Sequence, residues 1–159
     1  MEMKTVQDDA ILDSLKQALV ATLENFAFVF AEIDSGDAPP TLPADDYISA
    51  VVAFTGSAQC GELQVAVPVA QGKEIAANVL GLELGDVGDT DTIDAIKEWA
   101  NIVAGALTAT LFGVETTFSL SAPSATAIKP DDVLRFQQLP GAVTLLTDGY
   151  PLVALLKFN

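Results

Sequence analysis

Histidine is absent from the sequence. Without it there is no Ser-His-Asp triad, no phosphohistidine relay and no imidazole metal ligand, which closes three broad routes to catalysis. Cysteine occurs once, as Cys60, so neither an internal disulfide nor a thiolate metal cage can form. We read Cys60 as a small buried apolar side chain near a turn. Bases are scarce too: 7 Lys and Arg stand against 22 Asp and Glu, a net charge of −15. Such a surface repels phosphate backbones and anionic lipid heads, which excludes nucleic-acid and peripheral membrane roles. Phosphate-cradling glycine loops and nucleophile motifs are missing as well. No apolar run approaches bilayer-spanning length, and the opening MEMKTVQDDA is acidic where a signal peptide would be basic. A soluble, cytoplasmic protein is expected.

Half of the residues are apolar, which excludes disorder, and 159 residues can bury a core without staples. We therefore take residues 1–159 as one domain. The most informative stretch is 92–111, TIDAIKEWANIVAGALTATL. At about 100° per residue, Ile93, Ile96, Ala100, Val103, Leu107 and Leu111 share one side, the spacing of a buried helix face. Asp94, Glu98, Asn101, Gly105 and Thr108 form a narrow polar line opposite. From spacing alone that is also the pattern of an ordinary surface helix. Asp91 is a plausible N-cap, and Asp94 then falls in the first turn, where a carboxylate favours the helix dipole. Asn101 is less readily explained, because asparagine is a mediocre helix former and nothing at mid-helix requires one.

Elsewhere, Leu12, Leu15, Leu19, Leu23, Phe26, Phe30 and Ile33 recur at three- and four-residue intervals and predict a core helix over 8–33. Glu24 and Asn25 are adjacent there, so they cannot reproduce the spacing of Glu98 and Asn101. Residues 35–46, rich in turn and breaker residues, predict an exposed connection. Alternation predicts strands over 47–55 and 62–68, joined as a hairpin by GSAQCG, then a helix over 71–80 stopped by Gly81. Glu83, Asp86, Asp89 and Asp91 lack EF-hand spacing and read as solvated charge. Further strands are predicted over 114–121, 133–139, 142–147 and 152–158. The element order suggests two related halves sharing an antiparallel sheet of about six strands with helices packed on it, an α+β class.

The pattern D-x3-E-x2-N at Asp94, Glu98 and Asn101 resembles the signature of the CheC/CheX/FliY family of chemotaxis phosphatases. The likeness continues through CGELQVAVPV (60–69), IAANVLGLEL (75–84) and FSLSAP (118–123). With one copy of the signature, the chain looks most like the CheX branch. The family's proline usually follows the asparagine after 22 intervening residues; Pro123 follows Asn101 after 21, a one-residue loop difference. The resemblance implies an α+β fold with pseudo-symmetric halves and, as substrate, the aspartyl phosphate of a CheY-like response-regulator receiver domain. The Mg²⁺ comes with that partner, so no cofactor or metal is assigned to this chain. By the same resemblance, Asn101 orients the attacking water, Glu98 pairs with the partner's lysine, and the protein is a homodimer. We add Asp94, Gly105 and Pro123 as partner-binding residues, with Gly105 leaving room for the partner's backbone and Asp94 also open to a structural role. The alternatives are a non-catalytic receiver-docking module, or a structural subunit whose sheet edge pairs with a copy of itself. For the latter, the apolar strand 152–158 offers alternate faces that both need cover.

Overall fold

In the computed structural model, which describes residues 2–36 and 45–159, a two-residue strand β1 (Lys4–Thr5) precedes the helix that the leucine spacing predicts, α1 (Asp9–Ala27). Asp8 caps it, its carboxylate accepting from the Ile11 N–H at 3.1 Å. The helix ends at Ala27, not Ile33, because Phe28 turns into the left-handed region (φ 54°), with its N–H on the Glu24 carbonyl and the Val29 N–H on that of Leu23. Beyond this reversal Phe28 and Phe30 are exposed, and Ile33 belongs to a short strand, β2 (Glu32–Ile33). Phe30 and Ile33 keep helical spacing after the helix has ended, and a periodicity reading cannot detect that.

The predicted hairpin follows as β3 (Tyr47–Thr55) and β4 (Cys60–Pro68), in register from Tyr47↔Pro68 to Thr55↔Cys60. Next comes α2 (Val69–Leu80), which ends where Gly81 adopts φ 67° and donates to the Ala77 carbonyl. A 3-10 turn over Leu84–Asp86 leads into α3 (Asp89–Phe112), followed by β5 (Ser119–Leu120), β6 (Ser124–Ile128), α4 (Pro130–Gln137), β7 (Val143–Thr147) and β8 (Tyr150–Phe158). The connection expected over 35–46 lies mostly outside the described residues.

Two sequence readings are corrected here, and one strand is added. Residues 133–139 are not a strand but belong largely to α4. Lys129-Pro130-Asp131-Asp132 is its start, with Pro130 in the first turn and the Asp132 carboxylate accepting from the Lys129 N–H at 3.3 Å. Its buried Val133 and Phe136 are three apart, the helical interval. The strand predicted over 114–121 shrinks to Ser119–Leu120, which pairs only with the last two residues of β3. Strand β6 was not predicted. It is a mostly exposed SATAI segment whose strand form comes from its pairing with Tyr47–Val51.

The sheet is antiparallel, in the order β2-β7-β8-β4-β3-β5, with β1 beside β8 and β6 beside β3. β1 and β7 share one edge of β8, and β5 and β6 share one edge of β3, so the eight strands among the described residues fill six positions, against about six strands expected. Two halves are visible in this order. The central strands β4 and β8 pair with each other. Each is flanked by its hairpin partner, β3 or β7, and each of those by a strand of the opposite half, β6 or β2, that follows a long helix.

Inward residues of β3, β4, β7 and β8, among them Val52, Leu63, Leu145 and Leu156, meet Leu15, Leu19 and Leu23 of α1 and Ile96, Val103 and Leu107 of α3. Each such buried aliphatic side chain contributes about 1.5–3 kcal/mol. On the opposite face Tyr47, Ala66, Val153 and Leu155 pack against Val133 and Phe136 of α4. The Tyr47 hydroxyl donates to the Pro151 carbonyl at 3.0 Å, and burial pushes its phenol above the ordinary range. β8 is thus paired on both edges and covered on both faces within one chain. Its apolar residues do not need a second copy to cover them.

Burial, and next the Asp148 carboxylate, push Glu74 of α2 above the usual carboxylate range. The neutral form is therefore favoured by folding. Its contribution is complete below the unfolded-state value of about 4.3 and is lost as pH rises through the higher folded value. Glu74→Gln is expected to stabilise the protein against urea at pH 7 and to leave it unchanged near pH 3.5; equal midpoints at pH 7 would contradict this.

Candidate functional site

The helix that carries the polar line starts earlier than its sequence suggests. Gly88, extended at φ −88° and ψ 172°, is the N-cap of α3, and its carbonyl accepts from both the N–H (3.1 Å) and the hydroxyl (3.0 Å) of Thr92. Asp91 is not the N-cap. It lies inside the first turn, where its carboxylate accepts from the Gly88 N–H at 3.0 Å. At the other end Gly113 (φ 87°) stops the helix, its N–H on the Ala109 carbonyl.

The buried side of α3 is wider than the predicted stripe and extends beyond it on both sides. Ile96, Ala100, Val103 and Leu107 are buried as expected, but Ala95, Trp99, Ala104 and Thr108 are buried with them, while Ile93 is exposed and Leu111 half-buried. The cause is that α3 packs on α1 and α2 as well as on the sheet. Trp99 is 1% exposed, and its indole N–H donates to the Thr22 hydroxyl of α1 at 2.8 Å. That hydroxyl donates in turn to the Ala18 carbonyl at 2.7 Å. Thr108, placed on the polar line by the wheel, instead turns its hydroxyl to the Gly105 carbonyl at 3.1 Å.

What remains in front is Asp94, Glu98, Asn101 and Gly105. Asp94 and Glu98 are exposed, and Asn101 and Gly105 are half-buried. Glu98 and Asn101 are three residues apart, about 4.5 Å along the axis. Among the described residues, no side chain bonds to the Asn101 carboxamide, and no Lys or Arg pairs with Asp94 or Glu98. An amide and a carboxylate are thus held on successive turns of a packed helix, free to meet a ligand. Pro123 lies off this line, in the gap between β5 and β6 at the sheet edge. There the Ser121 N–H donates to the Ala53 carbonyl at 2.8 Å and the Ala53 N–H to the Ser121 hydroxyl at 2.9 Å. A proline, lacking a donor, is tolerated at such an edge.

Gly105 is not required by packing. A Cβ built there would meet nothing nearer than a Leu120 methyl at 4.0 Å, an ordinary contact. Gly105→Ala is therefore expected to stabilise α3 by about 0.5–1 kcal/mol through lower backbone entropy in the unfolded chain. Denaturant midpoints for the two proteins check this, and a loss of stability would show a constraint at Gly105 that the fold does not reveal.

Beside this line, Asp91, Asp94 and Glu98 form one wall of a groove of about 320 Å³ whose other lining residues are Phe26, Val79, Leu80 and Ala95. A smaller, mainly apolar groove of about 240 Å³ between β6 and the first turn of α3 touches none of the four line residues. Among the described residues no three His, Cys, Asp or Glu side chains are arranged to hold a metal ion, and no helix is long and apolar enough to cross a membrane. Sequence reasoning missed the groove because its parts come from three helices. It also left Trp99, read as a large residue flanking Glu98, out of the buried stripe, although on the wheel this residue adjoins it.

Residues 48–142 match the family model described as chemotaxis phosphatase CheX. No curated protein matches significantly. Several solved structures share the fold. The chemotaxis protein CheX of Vibrio vulnificus is 15% identical, with 98% of this chain and 100% of that chain covered at a TM-score of 0.71. The CheX protein of Desulfovibrio desulfuricans is 19% identical, with 94% and 99% covered and a TM-score of 0.64. The CheX–CheY–BeF₃–Mg²⁺ complex of Borrelia burgdorferi matches at 17% identity, with 97% and 99% covered and a TM-score of 0.62.

Proposed function

Since the chain belongs to the CheX family of chemotaxis phosphatases, we propose that it hydrolyses the aspartyl phosphate of a CheY-type receiver domain. In this reading Asn101 orients the attacking water and Glu98 pairs with the receiver's lysine. The observation that carries it is the pair itself: an amide and a carboxylate, neither with a side-chain partner among the described residues, on successive turns of a helix locked to α1 by Trp99.

In the reaction, water attacks the phosphorus in line with the bond to the aspartate. The P–O bond to the carboxylate breaks, and inorganic phosphate and a free carboxylate are released. Positioning and electrostatics supply most of the catalysis in such transfers, so the enzyme needs no nucleophile or base of its own. The Asn101 carbonyl oxygen accepts a hydrogen bond from the water while its NH₂ faces a phosphoryl oxygen. A charge-assisted contact between Glu98 and the receiver's lysine fixes the approach of α3. Gly105, with no side chain, lets the receiver backbone come close, and Asp94 and Pro123 complete the contact. The Mg²⁺ belongs to the receiver. The same reading includes a cytoplasmic homodimer, which a sedimentation mass of one chain would remove.

The test is inorganic phosphate release from a panel of phosphorylated receiver domains with added protein. Release from at least one receiver is expected to accelerate in proportion to protein concentration. Binding without acceleration would make the chain a receiver-docking module instead.

A further inference from the structure

We propose that the groove between α1, α2 and α3 takes one lysine or arginine side chain from the docked receiver, a second anchor beside the contact assigned to Glu98. The proposal rests on the reading of the partner given above. Phe26, Val79, Leu80 and Ala95 are the apolar part of the groove, and Asp91, Asp94 and Glu98 are its acidic wall. Leu80 is 51% exposed at the end of α2, so this apolar surface is open to a partner. Asp91 already accepts from the Gly88 N–H, but among the described residues no cation pairs with the wall. The ion pairs among the described residues are Lys16–Asp13, Lys129–Asp46 and Arg135–Asp132, none of them here.

The lining selects its occupant by elimination. A purely apolar plug would strip water from carboxylates and give nothing back. An acidic side chain is repelled. A long aliphatic stem with a cationic head satisfies both parts at once, the stem covering Leu80 and Val79 and the head reaching the wall. The chain's net charge of −15 favours a basic partner surface in the same direction. Asp94 lies one turn from Glu98 towards the start of α3 and so serves this second cation, while Glu98 remains for the receiver's active-site lysine.

The experiment measures two quantities on the intact protein: affinity for a beryllofluoride–Mg²⁺-loaded CheY-type receiver at several salt concentrations, and phosphate release from the phosphorylated receiver. The variants are Leu80→Lys, which places a cation of the chain's own in the groove, and Asp94→Asn. Val114→Ser, at an 88% exposed position beyond the far end of α3, is the control. Leu80→Lys is expected to weaken binding about tenfold or more, and Asp94→Asn to weaken it and flatten its salt dependence. Wild-type affinity and salt dependence in both variants, with an active wild type, would overturn the groove and leave the phosphatase reading intact. Weakened binding in the variants of a wild type that binds but releases no phosphate would uphold the groove and remove the phosphatase. A wild type that binds no receiver would overturn both.

Discussion

Asn101→Ala is expected to lower kcat for phosphate release from a phosphorylated receiver by about 100-fold, the scale of losing a well-positioned reacting group. Its affinity for the beryllofluoride-loaded receiver should stay within about twofold of wild type, because the amide acts on the water and not on the docking. Glu98→Ala should give the complementary result. Its loss falls mainly on affinity, since a carboxylate paired with the partner's lysine contributes to the complex before the reaction begins. Single-turnover release and equilibrium binding, measured side by side, separate the two. The assignment fails if Asn101→Ala keeps wild-type kcat, or if it loses affinity and rate in equal measure. The fold does not confuse this reading. Asn101 is half-buried and makes no side-chain hydrogen bond among the described residues, so its truncation leaves no buried partner unsatisfied.

The second large effect is on stability. Trp99→Ala is expected to cost about 3–5 kcal/mol, measured by urea unfolding, because it empties a site that is 1% exposed where α1 and α3 meet. Trp99→Phe keeps most of the volume and removes the indole N–H to Thr22, so it should cost less, about 1 kcal/mol for the lost hydrogen bond. The Thr22 hydroxyl still has the Ala18 carbonyl as acceptor and is not stranded. If Trp99→Ala unfolds at the wild-type midpoint, Trp99 does not hold the two helices together. The same contact bears on function, because α1, together with α2 and the sheet, fixes the rotation of α3 and with it the direction in which Glu98 and Asn101 face.

Most of the fold was legible where period and punctuation agree. The strand over 47–55, the helix stopped by Gly81 and the strand β7 show a simple alternation or helical repeat bounded by turn residues. The candidate site was legible for a related reason. Asp94, Glu98 and Asn101 are on one helix, so sequence spacing is also spatial spacing. The failures occurred where local signals compete. Phe30 and Ile33 continue a helical period past a backbone reversal, and Lys129-Pro130-Asp131-Asp132 marks a helix start as readily as a turn.

The sequence by itself determined the class of the fold, the front of the signature helix and the exclusion of histidine chemistry, internal disulfides and thiolate metal cages, because these follow from composition and from contacts between residues close along the chain. Only the tertiary structure decided which strands pair across the two halves, that β8 is central and not an edge, that Thr108 and Trp99 are buried, and that Phe26 and Leu80 open a groove beside Asp94. Each of these depends on the rotation of one element against another distant in sequence. That rotation is set by how the side chains of both fill the space between them.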